Sequence, residues 1–135
     1  MRKPDCIFCR IANGEIPSNT IYEDASFRVV LDNGPATRGH ALILPKEHSE
    51  SLLTLPEEQA AEAMKLAKKI AAMQMERLHA DGLNVVQNNG AAAGQTVTHF
   101  HIHLIPRYAD DGQTIGWVPG NPSQEELSKV REALC

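Results

Sequence analysis

Gly94-Gln95-Thr96-Val97-Thr98-His99-Phe100-His101-Ile102-His103-Leu104-Ile105-Pro106-Arg107 is the stretch on which both fold and chemistry turn. Histidines occupy 99, 101 and 103, and apolar side chains occupy 100, 102 and 104. An extended chain sends successive side chains to opposite faces, so the pattern predicts a strand over 96–105, stopped by Pro106, with one apolar and one imidazole face. The imidazoles would stand about 6.5 to 7 Å apart along it. Binary patterning asks only for polar residues on such a face, not for three histidines. Imidazole serves as nucleophile, acid, base or metal ligand near neutral pH, so the residues alone leave two chemical readings open: a histidine-centred reaction and a three-histidine metal site.

Working outward, Leu83 to Gln87 reads as a strand, and Asn88 to Gln95 as a Gly- and Ala-rich loop. Before them lies a helical pattern running to about His79, with Thr54 and Glu57 spaced as a capping box. Its Ala60, Met64, Ala67, Ile70 and Leu78 fall near one face. His40 to Leu44 is a further apolar strand, stopped by Pro45 and preceded by the loop Gly34-Pro35-Ala36-Thr37-Arg38-Gly39. Thr20 to Glu23 and Phe27 to Leu31 have the look of a hairpin, closed by Asp32. Ile7 to Ala12 reads as a helical turn ended by Asn13-Gly14, and Pro122 to Leu127 opens a short C-terminal helix. One long helix against about five strands, several adjacent in sequence, predicts an α+β domain with a mostly antiparallel sheet. So small a sheet leaves edges, and a symmetric homodimer is an economical way to cover them.

The chain has 135 residues, the size of a single core, with 42% hydrophobic and 22% charged residues. A net charge of −4 gives no basic field, which argues against nucleic acid and membrane surfaces as partners; an anionic ligand must be held locally. No apolar run reaches membrane-spanning length and no leader pattern follows Met1, so the expected location is cytoplasmic. Three cysteines form an odd set, and Cys6 and Cys9 have the spacing of a metal or redox pair.

Residues 94–107 resemble the signature of the histidine-triad (HIT) family. The resemblance extends to Cys6-Ile7-Phe8-Cys9-Arg10-Ile11 and to Gly39-His40-Ala41-Leu42-Ile43-Leu44-Pro45-Lys46-Glu47-His48, covering about residues 5–108. As a whole the chain is similar to bacterial-type members of the Hint branch. Gly94-Gln95-Thr96-Val97 and Pro106-Arg107 are also similar to dinucleoside polyphosphate hydrolases of the Fhit branch. The resemblance implies a HIT-like fold as a single domain over 1–135, with its core at about 5–108 and a tail at 109–135. It implies a purine nucleotide hydrolase acting at the α-phosphate, of the nucleoside phosphoramidase type. The alternatives are a dinucleoside polyphosphate hydrolase and a nucleotide-binding regulatory module with incidental turnover.

By the same resemblance His101 is the nucleophile that forms a nucleotidyl-histidine intermediate. His103 would bond the phosphoryl oxygens or the leaving atom, with His99 and His40 completing the catalytic group. Asp32 would accept from the ribose, while Asn88, Gln95 and Thr96 would contact ribose and phosphates. Phe8, Ile11 and Ile16 would sandwich the base. Cys6, Cys9, His48 and His99 supply a tetrahedral zinc set of a kind used by some relatives, with the zinc structural; buried apolar thiols are the competing reading. Trp117 lies in the tail, which in family members borders the active site and the dimer.

Overall fold

The computed structural model of the protein describes residues 2–135. Chain order is α1 (Ile7–Ala12), β1 (Thr20–Glu23), β2 (Phe27–Leu31), β3 (Ala41–Pro45), α2 (Glu57–Leu78), β4 (Gly82–Val86), a single 3-10 turn (Ala91–Ala93), β5 (Ile102–Arg107) and α3 (Gln124–Leu134). The five strands form one sheet in the order β1-β2-β3-β5-β4, antiparallel at every pairing. The α+β architecture, the hairpin and the long helix are as the sequence predicts.

The two sheet faces are covered differently. Phe27, Val29, Ala41, Ile43, Phe100, Ile102 and Leu104 pack against Ala63, Leu66, Ala67 and Ile70 of α2. On the opposite face Val30, Leu42 and Leu44 meet Ala12, Phe8 and Ile11 of α1. His103 is the cross-strand partner of Leu42 and Val86, so it shares the α1 face. The alternation of the histidine stretch thus separates core from site, as predicted.

The strand carrying it is shorter and later than the expected 96–105. Pairing begins only at Ile102, because His99 and His101 spend their polar groups otherwise: His101 Nδ1 bonds the His99 carbonyl two residues back, and the Phe100 N–H reaches the Ser49 carbonyl. The expected stops are met to within a residue or two: Pro45 is itself the last residue of β3, and β5 runs one residue past Pro106 to Arg107. Each takes its place where a neighbour has run out. Pairing between β3 and β5 covers only Ala41–Ile43 against Ile102–Leu104, so the face on which each proline lacks an N–H has no ladder to break. The carbonyls on those faces take side-chain donors, His99 Nε2 on Pro45 and Thr37 Oγ1 on Pro106.

Helix α2 also starts later than expected. Pro56 is its N-cap residue at φ −56°, ψ 140°, so Thr54 lies too far upstream to cap and closes the preceding turn on Ser51. Its buried face is rotated: Ala63, Leu66, Ala67, Ile70 and Gln74 point inward, and Met64 is 57% exposed. Buried Gln74 donates to the Gly39 and Leu104 carbonyls, tying helix, loop and β5 together.

Candidate active site

His101 lies immediately before β5 on the α1 face, 5% exposed, with Phe8 edge-on at 4.9 Å between ring centroids. Its Nδ1 is 2.7 Å from the His99 carbonyl oxygen. A carbonyl only accepts, so Nδ1 carries the ring proton and Nε2 holds the free lone pair. Burial lowers the pKa of His101, opposed by that hydrogen bond and by Asp32; the ring is kept neutral. A buried, oriented imidazole with an available Nε2 lone pair is a nucleophile in waiting.

Beside it, His103 has its ring centroid 4.9 Å from that of His101, and its Nδ1 is 2.9 Å from His40 Nε2. His40 Nδ1 accepts the Ala36 N–H at 2.9 Å, and Asp32 Oδ2 lies 3.5 Å from His40 Nε2. Burial, reinforced by His101 and His40, lowers the pKa of His103 to about 4; burial lowers that of His40 against the opposing pull of Asp32. Asp32 directly follows β2 and takes the Gly34 N–H on its other oxygen. His40, His101, His103 and Asp32 therefore form one cluster, gathered at the adjoining ends of the neighbouring strands β2, β3 and β5.

His99 turns the other way. Its Nε2 donates to the Pro45 carbonyl at 2.9 Å, so the lone pair is on Nδ1. That atom faces Cys6 Sγ at 3.3 Å, Cys9 Sγ at 3.4 Å and His48 Nδ1 at 3.2 Å; Cys9 Sγ and His48 Nδ1 are 3.3 Å apart. Tetrahedral zinc with bonds of about 2.0 to 2.3 Å would space its ligand atoms by about 3.3 to 3.8 Å, close to these separations. The residues fit the ion in chemistry as well, since a set of thiols and imidazole lone pairs turned on one another is what a soft cation satisfies. Asp32, His40 and His103 also gather possible ligand atoms, but the Ala36 N–H on His40 Nδ1 forces the proton onto Nε2 and blocks that lone pair. His99, expected both in the catalytic group and in the zinc set, turns its imidazole to the Cys/His group and its carbonyl to His101.

The remaining predicted ligands are placed less uniformly. Phe8 and Ile11 line the α1 face near His101, and Ile16 is half-buried beyond the turn after α1. Asn88 lies next to Gly94, close to where a Cβ on that glycine would stand. Thr96 is exposed. Gln95 is committed to its own loop, accepting from the Gly90 N–H and donating to the Glu50 and Val97 carbonyls. Sequence reading missed the Ala36 amide, the Pro45 carbonyl and Gln74. The first two are backbone groups that no side-chain pattern announces, and a polar residue inside a helix offers no outward sign that it faces the sheet.

The HIT domain profile matches residues 13–110. This chain belongs to the HIT family. Over 129 residues it is 44% identical to a HIT-like protein of Methanocaldococcus jannaschii, covering 96% of this chain and 98% of that one. It is 40% identical to the adenosine 5'-monophosphoramidase of Saccharomyces cerevisiae, covering 96% and 80%. Among solved structures, a Streptococcus mutans protein superposes with TM-score 0.93 at 42% identity, covering 98% of this chain and 84% of that one. A zinc-bound histidine-triad protein of Mycobacterium smegmatis superposes at 0.78 with 38% identity, covering 96% and 97%. The HIT fold and family membership expected from the histidine stretch are thus established, and nucleotide hydrolysis is at home among this chain's relatives. Among the described residues no helix is long and apolar enough to cross a membrane.

Proposed function

We propose that this HIT protein hydrolyses purine nucleoside 5'-phosphoramidates through a nucleotidyl intermediate on His101. The observation that carries the reading is the 2.7 Å bond from His101 Nδ1 to the His99 carbonyl, which leaves Nε2 as the attacking lone pair. The 40% identity to a monophosphoramidase supports the P–N bond as the one broken. His101 Nε2 attacks the α-phosphorus, the amine departs, and water then releases the nucleotide. Phe8, Ile11 and Ile16 would receive the base, Asp32 the ribose, and Asn88 with Thr96 and the backbone at Gln95 the ribose and phosphates. His103 and His40 stand at the phosphoryl end.

Cys6, Cys9, His48 and His99 would hold zinc, which when bound supplies a structural cross-link and no Lewis acid for the reaction. The chain works as one domain over 1–135, in the cytoplasm and as a symmetric homodimer. Support for the dimer comes from the outer edge of β4, where exposed Val85 adjoins a hollow lined by Ala61, Met64, Ala67 and Ala71 of α2 and bordered by Lys65 and Lys68. The tail would reach that partner: α3 buries no residue, and Trp117 is 87% exposed.

The deciding experiment mixes wild type and His101→Ala with adenosine 5'-phosphoramidate, quenches at short times and reads intact mass and AMP. An AMP adduct and rapid AMP release by wild type alone are expected. Equal turnover by the variant would discard the mechanism, and exclusive cleavage of a dinucleoside polyphosphate offered in parallel would move the substrate class to P–O–P bonds.

A further inference from the structure

Leu31 alternates with Phe27 and Val29, so it points to the α2 face of the sheet, away from His101. There a hollow of about 510 Å3 is left between the β1–β2 hairpin and the C-terminal half of α2, lined by Ile21, Leu31, Ile70, Met73 and Leu78. Its third wall is the loop at Arg38 and Gly39, where Gly39 leaves no room for a Cβ against Leu78 Cδ1. That loop is fastened from behind: Thr37 Oγ1 donates to the Pro106 carbonyl, and Tyr108 Oη to the Arg38 carbonyl at 2.8 Å. The walls are therefore preformed, and the volume falls within the roughly 300 to 1,000 Å3 of small-molecule sites.

Polar groups at two levels give this apolar hollow a chemistry. Arg38 and Arg77 line it from the solvent side, both exposed, and neither has an ion-pair partner among the described residues. Deeper in, Gln74 is 5% exposed and its Nε2 donates to the Gly39 carbonyl at 2.9 Å and the Leu104 carbonyl at 3.2 Å. Both partners only accept, so the amide cannot be turned round, and its Oε1 is left buried without a hydrogen-bond partner. An orphaned acceptor in a dry wall is costly, and a donor brought by an occupant relieves it.

We propose that this hollow binds a small amphipathic carboxylate: its aromatic body lies among Ile21, Leu31 and Met73, one N–H or O–H of that body meets Gln74 Oε1, and Arg38 and Arg77 hold the anion. The site is separate from the nucleotide site and does not rest on the phosphoramidase reading. Guanidinium forks match a carboxylate in shape and charge, and they repel an ammonium. A hollow walled on three sides suits a small molecule rather than the broad face of a protein interface. Gln74 also grips the carbonyl of Gly39, the neighbour of His40, so an occupant bonded to Gln74 bears on the loop that carries His40.

Indole-3-propionate is the probe, titrated into nitrogen-15-labelled protein and followed by calorimetry and amide shifts. Saturable binding with a Kd of about 1 mM or lower is expected, with shifts at Ile21, Leu31, the loop from Arg38 to His40 and the C-terminal half of α2. Excess AMP should leave this binding unchanged. The 1-methyl analogue, which has lost the N–H, should bind about 5-fold or more weakly, and the corresponding indole propylamine, a cation, should not saturate. Arg38→Gln and Arg77→Gln, both at exposed positions, should each weaken the anion by roughly 3- to 10-fold, and Ile21→Trp should fill the hollow and abolish binding. Absence of saturable binding, displacement by AMP, shifts centred on His101, or unchanged affinity of the arginine variants or of the 1-methyl analogue would each overturn the proposal. So would an altered mass of Ile21→Trp in light scattering, which would make the hollow a contact between copies of the chain. Because none of these readouts uses turnover, a chain that binds the indole but cleaves no phosphoramidate would sink the nucleotide reading alone.

Discussion

His99, His101 and His103 are the same residue three times over, and their surroundings give them three tasks. Each is defined by where its one proton goes: to the Pro45 carbonyl from His99 Nε2, to the His99 carbonyl from His101 Nδ1, and to the open Nε2 of His103. The common feature is that all three are held neutral by burial. For His103 the pKa falls from an ordinary 6.5 to about 4, so the unfolded chain binds its proton more readily than the folded one. Its contribution to stability is whole above pH 6.5 and is lost as pH falls toward 4. Between pH 7 and pH 5 this amounts to roughly 2 kcal/mol. Chemical denaturation at the two pH values should show wild type losing about that much more stability than His103→Asn, which has nothing to titrate; equal losses would place the pKa of His103 near its ordinary value. The identity of the three histidines and their common face were legible in the sequence. Their tautomers were not, because carbonyls and amides of Pro45, His99 and Ala36 decide them.

Among the elements, the Cys/His group links α1 to the stretch that leads into β5, since Cys6 and Cys9 both face His99. Cys6 is the N-cap of α1, its Sγ accepting the Cys9 N–H, and Cys9 lies in the helix, fully buried. At six residues α1 is too short to persist without tertiary support. With zinc in the proposed site, its removal should loosen α1 from the stretch before β5 and withdraw Phe8 from His101. Protein freed of zinc with a strong chelator is expected to melt several degrees lower and to bind AMP more weakly, with zinc restoring both; His48→Ala should imitate the chelated form. Identical melting and AMP affinity with and without chelator would make Cys6 and Cys9 ordinary buried thiols. Element existence was well marked in the sequence, since the apolar periods of β2, β3 and α2 answer to burial that any fold of this chain must achieve. Boundaries were not. Pro45 and Pro106 read as stops outside their strands, yet Pro45 is the last residue of β3 and Pro106 lies one residue before the end of β5, each two residues past the β3–β5 ladder. Thr54 reads as a cap until Pro56 takes that place. These are facts of pairing length and register, which a single strand does not carry.

For the whole molecule, the unequal treatment of the sheet's two edges points to what completes it. At the β1 edge polar groups are engaged within the chain: Arg28 binds Thr20, Glu23 and the Ala12 carbonyl, and Lys46 binds Glu23. At the β4 edge apolar groups are left over. Met64, Ala71 and Met75 lie at helical spacing down one side of α2 with Lys65 and Lys68 bordering them, and Val85, 49% exposed, stands beside them on the edge strand. An edge strand flanked by a helix face of Met and Ala bordered by lysines is a template for a second copy, which a two-fold axis along this edge would cover with the same residues from both sides. Wild type should therefore run in light scattering at about twice 14.8 kDa. Val85→Glu and Met64→Glu place charges on the axis and should each give a species of 14.8 kDa, whereas Val85→Thr, which keeps the β-branched strand residue, should remain paired. Dimers undisturbed by both glutamates would move the interface elsewhere. A monomeric wild type would leave Val85 and Met64 as scattered surface residues and α3 without the partner its unburied apolar side requires.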